Sequence, residues 1–199
     1  YAMIKARPVA GDQEAGAELM AMLRPFVYRR YIDFGAVESL REMKRMISAN
    51  LYDKGMEANV KLGPGGIREI EFIGQAFQLI RGGRDTDLQV RPIQKVLTRL
   101  GEKDLIPRSD VDELLAAYRF LRLTENRVQA WQDKQTHLLP EDDEGRLRLA
   151  RTMGFDDWAV FSATLSGHRD RVQKHFEQLF AGPDGEEDGE SPLAGVWLQ

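Results

Sequence analysis

The chain has 199 residues, of which 42% are hydrophobic and 30% charged, and its formal net charge is −4. This composition is typical of a soluble globular protein with one large or two small domains. The negative charge gives no reason to expect nucleic-acid binding. Cysteine is absent, which excludes disulfides and thiol chemistry. No apolar run reaches the roughly 20 residues of a membrane span, so we expect a cytoplasmic protein.

The first part of the chain predicts helices separated by short breaks. Residues 1–7 look like the end of a helix stopped by Pro8, and this opening without Met predicts a piece of a longer protein. Asp12 is placed to cap a helix that runs to about Arg24. Residues 36–54 predict an amphipathic helix with one charged residue on its apolar face. That face contains Val37, Leu40, Met43, Lys44, Ile47 and Leu51.

Four more helices are predicted after residue 90, on the basis of helical periodicity and end signals. Gly101 is the expected stop of the first, and Ser109 with Asp112 resembles a cap at the start of the second. Arg122 and Glu125 continue the apolar face of this second helix, at a spacing that allows them to bond to each other. The predicted spans are 92–100, 109–131, 141–153 and 157–180, and Asp156 or Asp157 is the predicted cap of the last helix.

The end of the chain differs from the rest in composition. Residues 181–192, AGPDGEEDGESP, have five acidic residues and almost no apolar side chain, which predicts a flexible acidic linker. Residues 193–199, LAGVWLQ, are apolar again and either start the next segment or dock back. Alternating strand patterns are missing, so the sequence predicts an all-α fold of about seven or eight helices. Residues 1–180 form one helical domain in this prediction.

The stretch 59–80 is the one around which the other elements are organised. A basic lead-in and a GPGG turn precede a helix with an unusually wide apolar arc, which favours a central position in the fold. Glu69 falls within that arc and requires a partner, because burial of an unpaired charge is unfavourable by several kcal/mol or more. The apolar arc contains Ile70, Phe72, Ile73, Ala76, Phe77, Leu79 and Ile80. The polar side contains Arg68, Glu71, Gln75 and Gln78.

The GPGG turn has two interpretations at this point. Glycines before a helix let backbone N–H groups approach an anion, and two basic residues flank the turn. Lys61, Gly65, Gly66 and Arg68 are therefore candidates to bind phosphate or to face a cleft. The alternative is a strained turn that lets the helix start close against a neighbouring backbone. Neither a Walker motif nor G-x-G-x-x-G is present.

Four ionisable residues lie on otherwise apolar helix faces: Lys44, Glu69, Arg122 and Glu125. They predict either one buried ion-pair cluster or a charged wall that lines a cleft. Glu69 and Glu71 point about 160° apart on a helical wheel, which argues against a shared metal site. The three histidines are scattered, so the sequence predicts no metal site. They are His137, His168 and His175.

Several long strings resemble one enzyme family, the bifunctional glutamine synthetase adenylyltransferase/adenylyl-removing enzymes of proteobacteria. The most specific part is LGPGGIREIEFIGQ, and a shorter form of it is shared with the uridylyltransferases that modify the PII protein. The similar strings are KARPVAGD (5–12), YRRYIDFGAVESLREMKRMI (28–47), NVKLGPGGIREIEFIGQAFQLIRGGRD (59–85), FLRLTENRVQ (120–129) and DKQTHLLP (133–140).

This resemblance implies a long enzyme with two nucleotidyltransferase domains, each followed by helices. One attaches AMP from ATP to a tyrosine of glutamine synthetase, and the other removes AMP by phosphorolysis to give ADP, under control of PII and glutamine. The strings are similar to the helical part of the adenylyl-removing half. Mg²⁺ and ATP or ADP are implied for the whole enzyme, with none expected on this region. The implied partners are glutamine synthetase, PII and the upstream nucleotidyltransferase domain.

The chain departs from the family pattern in one respect. The catalytic carboxylates belong to a G-S…D-x-D sequence and a D-L-R-L-R-P strand, and neither occurs here. No catalytic residue is therefore assigned, and the isolated chain is expected to be inactive. In the family context Lys61, the Gly65–Gly66 backbone and Arg68 are expected to face a cleft. A competing expectation is a non-catalytic module that binds glutamine synthetase or PII through the charged loops 81–85 and 133–137.

Overall fold

The structure, a computed structural model, describes residues 1–30, 34–49 and 56–179. Within these ranges the chain forms seven α-helices and no β-strand, apart from an isolated bridge between Asn59 and Leu138. The predicted all-α fold is confirmed. The helices are α1 (Gln13–Val27), α2 (Phe34–Ala49), α3 (Ile67–Arg81), α4 (Ile93–Glu102), α5 (Arg108–Ala130), α6 (Asp143–Thr152) and α7 (Trp158–Leu179).

Helix α3 is the central helix, and α4, α5 and α7 pack around it. The predicted apolar arc is buried, except that Leu79 is only half-buried. Phe72 meets Phe176 of α7 edge to face at 5.7 Å, and Phe120 of α5 stacks on Phe161 of α7 at 5.8 Å. Such aromatic pairs add to the stabilisation from burial itself. The central position predicted for this helix is correct.

The polar side predicted for α3 is only partly correct, because Gln75 and Gln78 are buried. The Gln78 amide nitrogen donates to the carbonyl oxygens of Leu88 and Val90, at 2.6 and 2.8 Å. These bonds satisfy the buried amide and fasten the loop that follows α3. Only the part of the polar side formed by Arg68 and Glu71 reaches the surface.

Two of the predicted helix caps are present in the structure. The Asp12 carboxylate accepts hydrogen bonds from the amides of Glu14 and Ala15. The Asp157 carboxylate accepts one from the amide of Val160, as expected for one of the two predicted caps of α7. Both satisfy amides that a helix start leaves without an internal partner.

Other predicted ends are wrong. Residues 1–7 form turns rather than a helix end. Helix α1 continues through Pro25, and α5 begins after Pro107 without the Ser109 cap. The Pro107 carbonyl accepts from the amides of Asp110 and Val111 at 3.0 and 3.1 Å, so backbone hydrogen bonds close the first turn of α5. Gly101 lies inside the last turn of α4, and Asp104 at φ 54° follows the end of that helix.

Some predictions concern residues outside the described ranges. The acidic linker 181–192 and the apolar segment 193–199 both lie there, as does Leu51 of the predicted second helix. Within α2, Leu40 and Ile47 are buried as expected from the apolar face. None of the helices in the described ranges is long and apolar enough to cross a membrane.

Candidate functional site

The lead-in to α3 is held in place by the loop that follows α5. The amide of Val60 donates to the carbonyl of His137 at 2.8 Å, and the amide of Leu139 donates to the carbonyl of Ala58 at 2.9 Å. The Asn59 side chain accepts from the amides of the second and third residues after it, at 3.0 and 2.8 Å. The segment before the glycine turn is therefore fixed by backbone bonds on one side and by its own Asn on the other.

The glycine turn docks on the backbone of α7. Gly65 has φ +64°, and a β-carbon placed on it would meet the Arg169 carbonyl oxygen and would lie 2.5 Å from the Arg169 α-carbon. The Arg169 guanidinium also donates to the carbonyls of Glu57 and Asn59, at 2.6 and 2.7 Å. The close approach to a neighbouring backbone, which was one interpretation of the turn, is thus present. Only glycine fits this combination of conformation and contact.

The amides at the start of α3 are already engaged. Gly66 donates to Gly63 at 3.0 Å, Ile67 to Val60 at 3.3 Å, and Arg68 to Lys61 at 3.0 Å. A phosphate bound by these amides would have to displace backbone hydrogen bonds in a buried turn. The half-exposed side chains of Lys61 and Arg68 are free of this restriction. They are the part of the predicted anion site that the geometry favours.

Glu69 is buried, with 1% of its surface exposed, as predicted. Neither carboxyl oxygen meets a hydrogen-bond donor in good geometry. Burial raises its pKa to about 7, an effect that the nearby charge of Glu177 reinforces. The Gly65 amide and the charges of Arg169 and Lys44 act in the opposite direction. Glu69 is therefore a poorly solvated carboxyl group where α2, α3 and α7 meet.

Replacement of Glu69 by Gln is expected to remove a pH dependence of stability. The pKa of this group is about 7 in the folded chain against a normal value of 4.5. The folded state thus holds the proton more tightly. The contribution of this carboxyl group to the free energy of unfolding is fully present below pH 4.5. It is lost as the pH rises to about 7, and the loss amounts to ~3 kcal/mol. Glu69→Gln should match the wild type at pH 4.5 and exceed its free energy of unfolding by that amount at pH 8.

Urea denaturation between pH 4.5 and 8 checks this prediction. Glu71→Gln is the matched control on the same helix, because its half-buried carboxylate pairs with Lys5 at 2.9 Å near the surface. The control should leave the difference between pH 4.5 and pH 8 within ~1 kcal/mol of the wild type, as is typical for surface pairs. Parallel pH profiles for the wild type and Glu69→Gln would show that burial does not perturb this carboxyl group.

Glu125 is the centre of a second polar group. Its carboxylate, 3% exposed, pairs with Arg122 of the same helix, as the spacing predicted. It also lies 3.0 Å from His137 Nδ1 and 3.9 Å from Lys61 Nζ. Gln129 Nε2 contacts the same histidine nitrogen at 3.3 Å. One buried carboxylate thereby connects α5 to the lead-in of α3 and to the loop that follows α5.

The four polar residues, predicted to form either one buried ion-pair cluster or a charged wall of a cleft, are divided between two groups. Glu69 and Lys44 lie with Arg169 on the side of α3 toward α7, whereas Arg122 and Glu125 lie beside Lys61. Lys44 Nζ also donates to the Glu177 carbonyl of α7 at 3.2 Å. The division was not predictable, because a helical wheel gives the face of each residue but not the helix that packs against it.

A polar face is formed where the exposed side of α3 meets α5. We call it the α3–α5 polar face and define it by Lys61, Arg68, Glu71, Tyr118 and Arg122. Burial raises the pKa of Tyr118, Glu71 and Glu125 raise it further, and Arg122 lowers it. The first residue of the chain lies at the edge of this face. Burial raises the pKa of Tyr1, with Glu71 adding to the shift and Arg68 opposing it.

Comparison with known proteins identifies the family. Residues 40–180 match the family model described as GlnD PII-uridylyltransferase. All of the chain aligns at 61% identity with the bifunctional glutamine synthetase adenylyltransferase/adenylyl-removing enzyme of Nitrosococcus oceani. The enzymes of that name from Thioalkalivibrio sulfidiphilus and Pseudomonas aeruginosa are 58% and 54% identical over 99% and 98% of the chain. The chain belongs to the family that this model describes, and over nearly all of its length it is similar to the adenylyltransferase/adenylyl-removing enzymes.

The chain spans about a fifth of the length of these adenylyltransferase/adenylyl-removing relatives: 21%, 21% and 20% of the three proteins. The resemblance inferred from LGPGGIREIEFIGQ and the other strings is confirmed. The names of the relatives give glutamine synthetase as the protein on which they act. They assign no role to a particular residue.

The described residues of this family member do not by themselves make a metal site. No group of three or more histidine, aspartate or glutamate side chains comes together in a way that could hold a metal ion. Asp85 and Asp87 have D-x-D spacing, but Lys103 Nζ lies 3.3 Å from both carboxylates. His175 lies 2.8 Å from the Glu113 carboxylate, and His137 belongs to the Glu125 group.

Sequence reasoning missed Arg169, although a signal for it existed. Arg169 lies between Leu165 and Val172 on the apolar stripe of α7, the same pattern that singled out Lys44 on α2. Burial lowers the pKa of Arg169, while Glu69 and Glu57 raise it. An arginine on a buried stripe predicts a buried acidic neighbour, and Glu69 was the candidate that the sequence offered.

Proposed function

We propose that this chain is the helical region behind the adenylyl-removing nucleotidyltransferase domain, and that its α3–α5 polar face forms one wall of the substrate cleft. The observation that supports this most is the pair of half-exposed cations, Lys61 and Arg68, on a face that has Tyr1 at its edge. A polypeptide joined to Tyr1 would leave the helical domain at this face. An upstream domain can therefore place its cleft over these cations.

The two cations differ in their availability. Lys61 Nζ lies 3.9 Å from the Glu125 carboxylate, so it is oriented but only weakly paired. Arg68 makes no ion pair with the described residues, whereas Glu71, next to it on the polar side, is paired with Lys5. Arg68 thus presents a guanidinium that can bind a phosphate or a catalytic carboxylate with two parallel bonds.

The docked glycine turn gives this arrangement its rigidity. Gly65 fixes the start of α3 against α7, and Arg68 is in the first turn of that helix. A side chain on a rigid element is positioned more accurately than one on a loop. Under this proposal the turn acts through its packing, and the side chains of Lys61 and Arg68 contact the substrate phosphates or the acidic residues of the upstream domain.

The proposal for the whole protein follows the family. It would adenylylate glutamine synthetase with ATP and remove AMP by phosphorolysis to give ADP, with Mg²⁺ held by the carboxylates of its nucleotidyltransferase domains. It would act in the cytoplasm under the control of PII. The chain lacks the G-S…D-x-D sequence, so it contributes positioning and charge rather than the reacting carboxylates.

The isolated 199-residue chain is accordingly expected to be inactive. Adenylylated glutamine synthetase, inorganic phosphate and Mg²⁺ are incubated with the chain, and ADP formation is measured. No ADP above the protein-free control is expected, because the metal-binding carboxylates are supplied by another domain. ADP formation by the isolated chain would contradict the assignment of the chemistry to the upstream domain.

A second candidate function is a non-catalytic module that binds glutamine synthetase or PII. It is favoured by the exposed charged side chains of Arg84 and Lys134 in the two predicted loops. Capture of glutamine synthetase or PII by the immobilised chain would support this function. A rise in the melting temperature of the chain with ADP or ATP would support the cleft wall instead.

A further inference from the structure

Helix α1 is apolar on two sides, yet none of its residues is buried. Its inner side is half-buried and is formed by Gly16, Met20, Leu23 and Val27. Its outer side carries three large apolar residues at helical spacing: Leu19, Met22 and Phe26. These are 50%, 63% and 73% exposed. A helix with exposed apolar residues on its outer side and incomplete packing on its inner side lacks the cover that normally stabilises a surface helix.

The outer side of α1 is one part of a group of exposed apolar side chains near the start of the chain. We call it the α1 patch and define it by Tyr1, Met3, Val9, Leu19, Met22 and Phe26. These six are half of the twelve large apolar side chains that are exposed in the described part of the chain, and all lie in its first 26 residues. Single exposed apolar residues are common, whereas a concentration of this kind marks an interaction surface.

The space beneath α1 shows that its packing is incomplete. A cavity of about 410 Å³ lies between the first residues of the chain, α1 and residues 89–99. Met3, Ile4 and Pro8 line it on one side, and Pro92 and Arg99 line it on another. The opening residues share this cavity with α1, so the start of the chain lies beside the helix.

We propose that the α1 patch is the surface on which the nucleotidyltransferase domain before Tyr1 docks. This inference rests on the proposed function, since it takes the upstream domain from there. The relatives are about five times longer than this chain, so most of their polypeptide is available to cover the patch. A domain tethered at Tyr1 is held at a high effective concentration, and modest apolar contact then suffices for docking. The α3–α5 polar face meets the cleft, and the α1 patch holds the two domains together.

Hydrogen exchange of the α1 amides, measured by mass spectrometry, tests this interface. The chain is compared alone and within a polypeptide extended at its N-terminus to include the upstream domain. Exchange in residues 13–27 should be at least tenfold slower in the extended polypeptide, because docking opposes local opening of the helix. Equal rates in both would contradict the proposal. Slow exchange of the α1 amides in the isolated chain would also contradict it. If that slow rate depended on protein concentration, a second copy of the chain would be the partner that covers the patch.

A double substitution separates docking from folding. Met22→Ser with Phe26→Ser should restore fast α1 exchange in the extended polypeptide and leave the melting temperature of the isolated chain unchanged, because both side chains are exposed there. Val160→Ser is the matched control, since Val160 on α7 is 52% exposed and remote in sequence from the patch. It should leave the slow exchange in place. If the double variant keeps slow exchange, the patch is not the interface.

The outcome is independent of whether the polar face lines the cleft. Protection of α1 together with unchanged phosphorolytic activity in an Arg68→Ala variant of the extended polypeptide would keep the interface and remove the cleft-wall function. Loss of activity in that variant without protection of α1 would keep the cleft-wall function and remove the interface. The two ideas can therefore fail separately.

Discussion

Gly65→Ala should lower the free energy of unfolding by ~3 kcal/mol or more. Two effects combine at this position. The backbone has φ +64°, a conformation that costs an L-residue with a β-carbon roughly 1–2 kcal/mol. The added carbon would also overlap the backbone of Arg169, and forcing extra atoms into a packed site typically costs another 1–3 kcal/mol. A backbone cannot rotate away as a side chain can.

Gly154→Ala is the control that isolates the first effect. Gly154 has φ +85°, and a β-carbon there would meet no atom within 4 Å. Its substitution should cost only ~1–2 kcal/mol. Urea denaturation of the three proteins measures the difference. An equal loss for both variants would mean that the turn can lift from α7, and that the close approach does not hold the start of α3.

The sequence predicted α3 well because its evidence is local. A wide arc of apolar residues requires burial on several sides, and the structure buries Phe72, Phe77 and the isoleucines as expected. Glu69 was also predicted as a buried carboxyl group, because a wheel places it between two apolar stripes. Gln78 was assigned to the polar side, since its burial depends on the carbonyls of a loop ten residues later.

The partners of the buried carboxylates were harder to predict, because they come from distant parts of the chain. The spacing of Arg122 and Glu125 on one helix correctly indicated their bond. Arg169 lies 100 residues after Glu69, and His137 approaches Glu125 only because a loop bonds to Val60. Periodicity shows which side of a helix is buried, whereas the order in which helices pack decides which charges meet.

The family resemblance supplied what the composition could not. An acidic helical chain without cysteine gives no indication of nucleotidyl transfer. The string LGPGGIREIEFIGQ indicated the family, and identity over the whole chain confirms it. The structure then changes the physical interpretation of this string. Its Gly65 packs against α7, whereas Gly63 and Gly66 contact the backbone of the lead-in. Lys61, just before the string, and Arg68, within it, are half-exposed.

Arg68→Ala should reduce the activity of the extended enzyme at least tenfold without unfolding it. A charged hydrogen bond to phosphate or carboxylate contributes roughly 1.5–3 kcal/mol, and each ~1.4 kcal/mol of lost transition-state stabilisation is a tenfold change in rate. Arg68 is half-exposed and makes no ion pair among the described residues. Its removal should therefore change the free energy of unfolding by no more than ~0.5 kcal/mol.

The most direct test is kcat/KM for phosphorolytic AMP removal from adenylylated glutamine synthetase, measured in the extended polypeptide. Arg151→Ala is the matched control, because Arg151 is an exposed arginine on α6, outside the α3–α5 polar face. The cleft-wall proposal predicts a loss of at least tenfold for Arg68→Ala and less than twofold for Arg151→Ala, with both variants folded. Equal kcat/KM for the wild type and Arg68→Ala would contradict it.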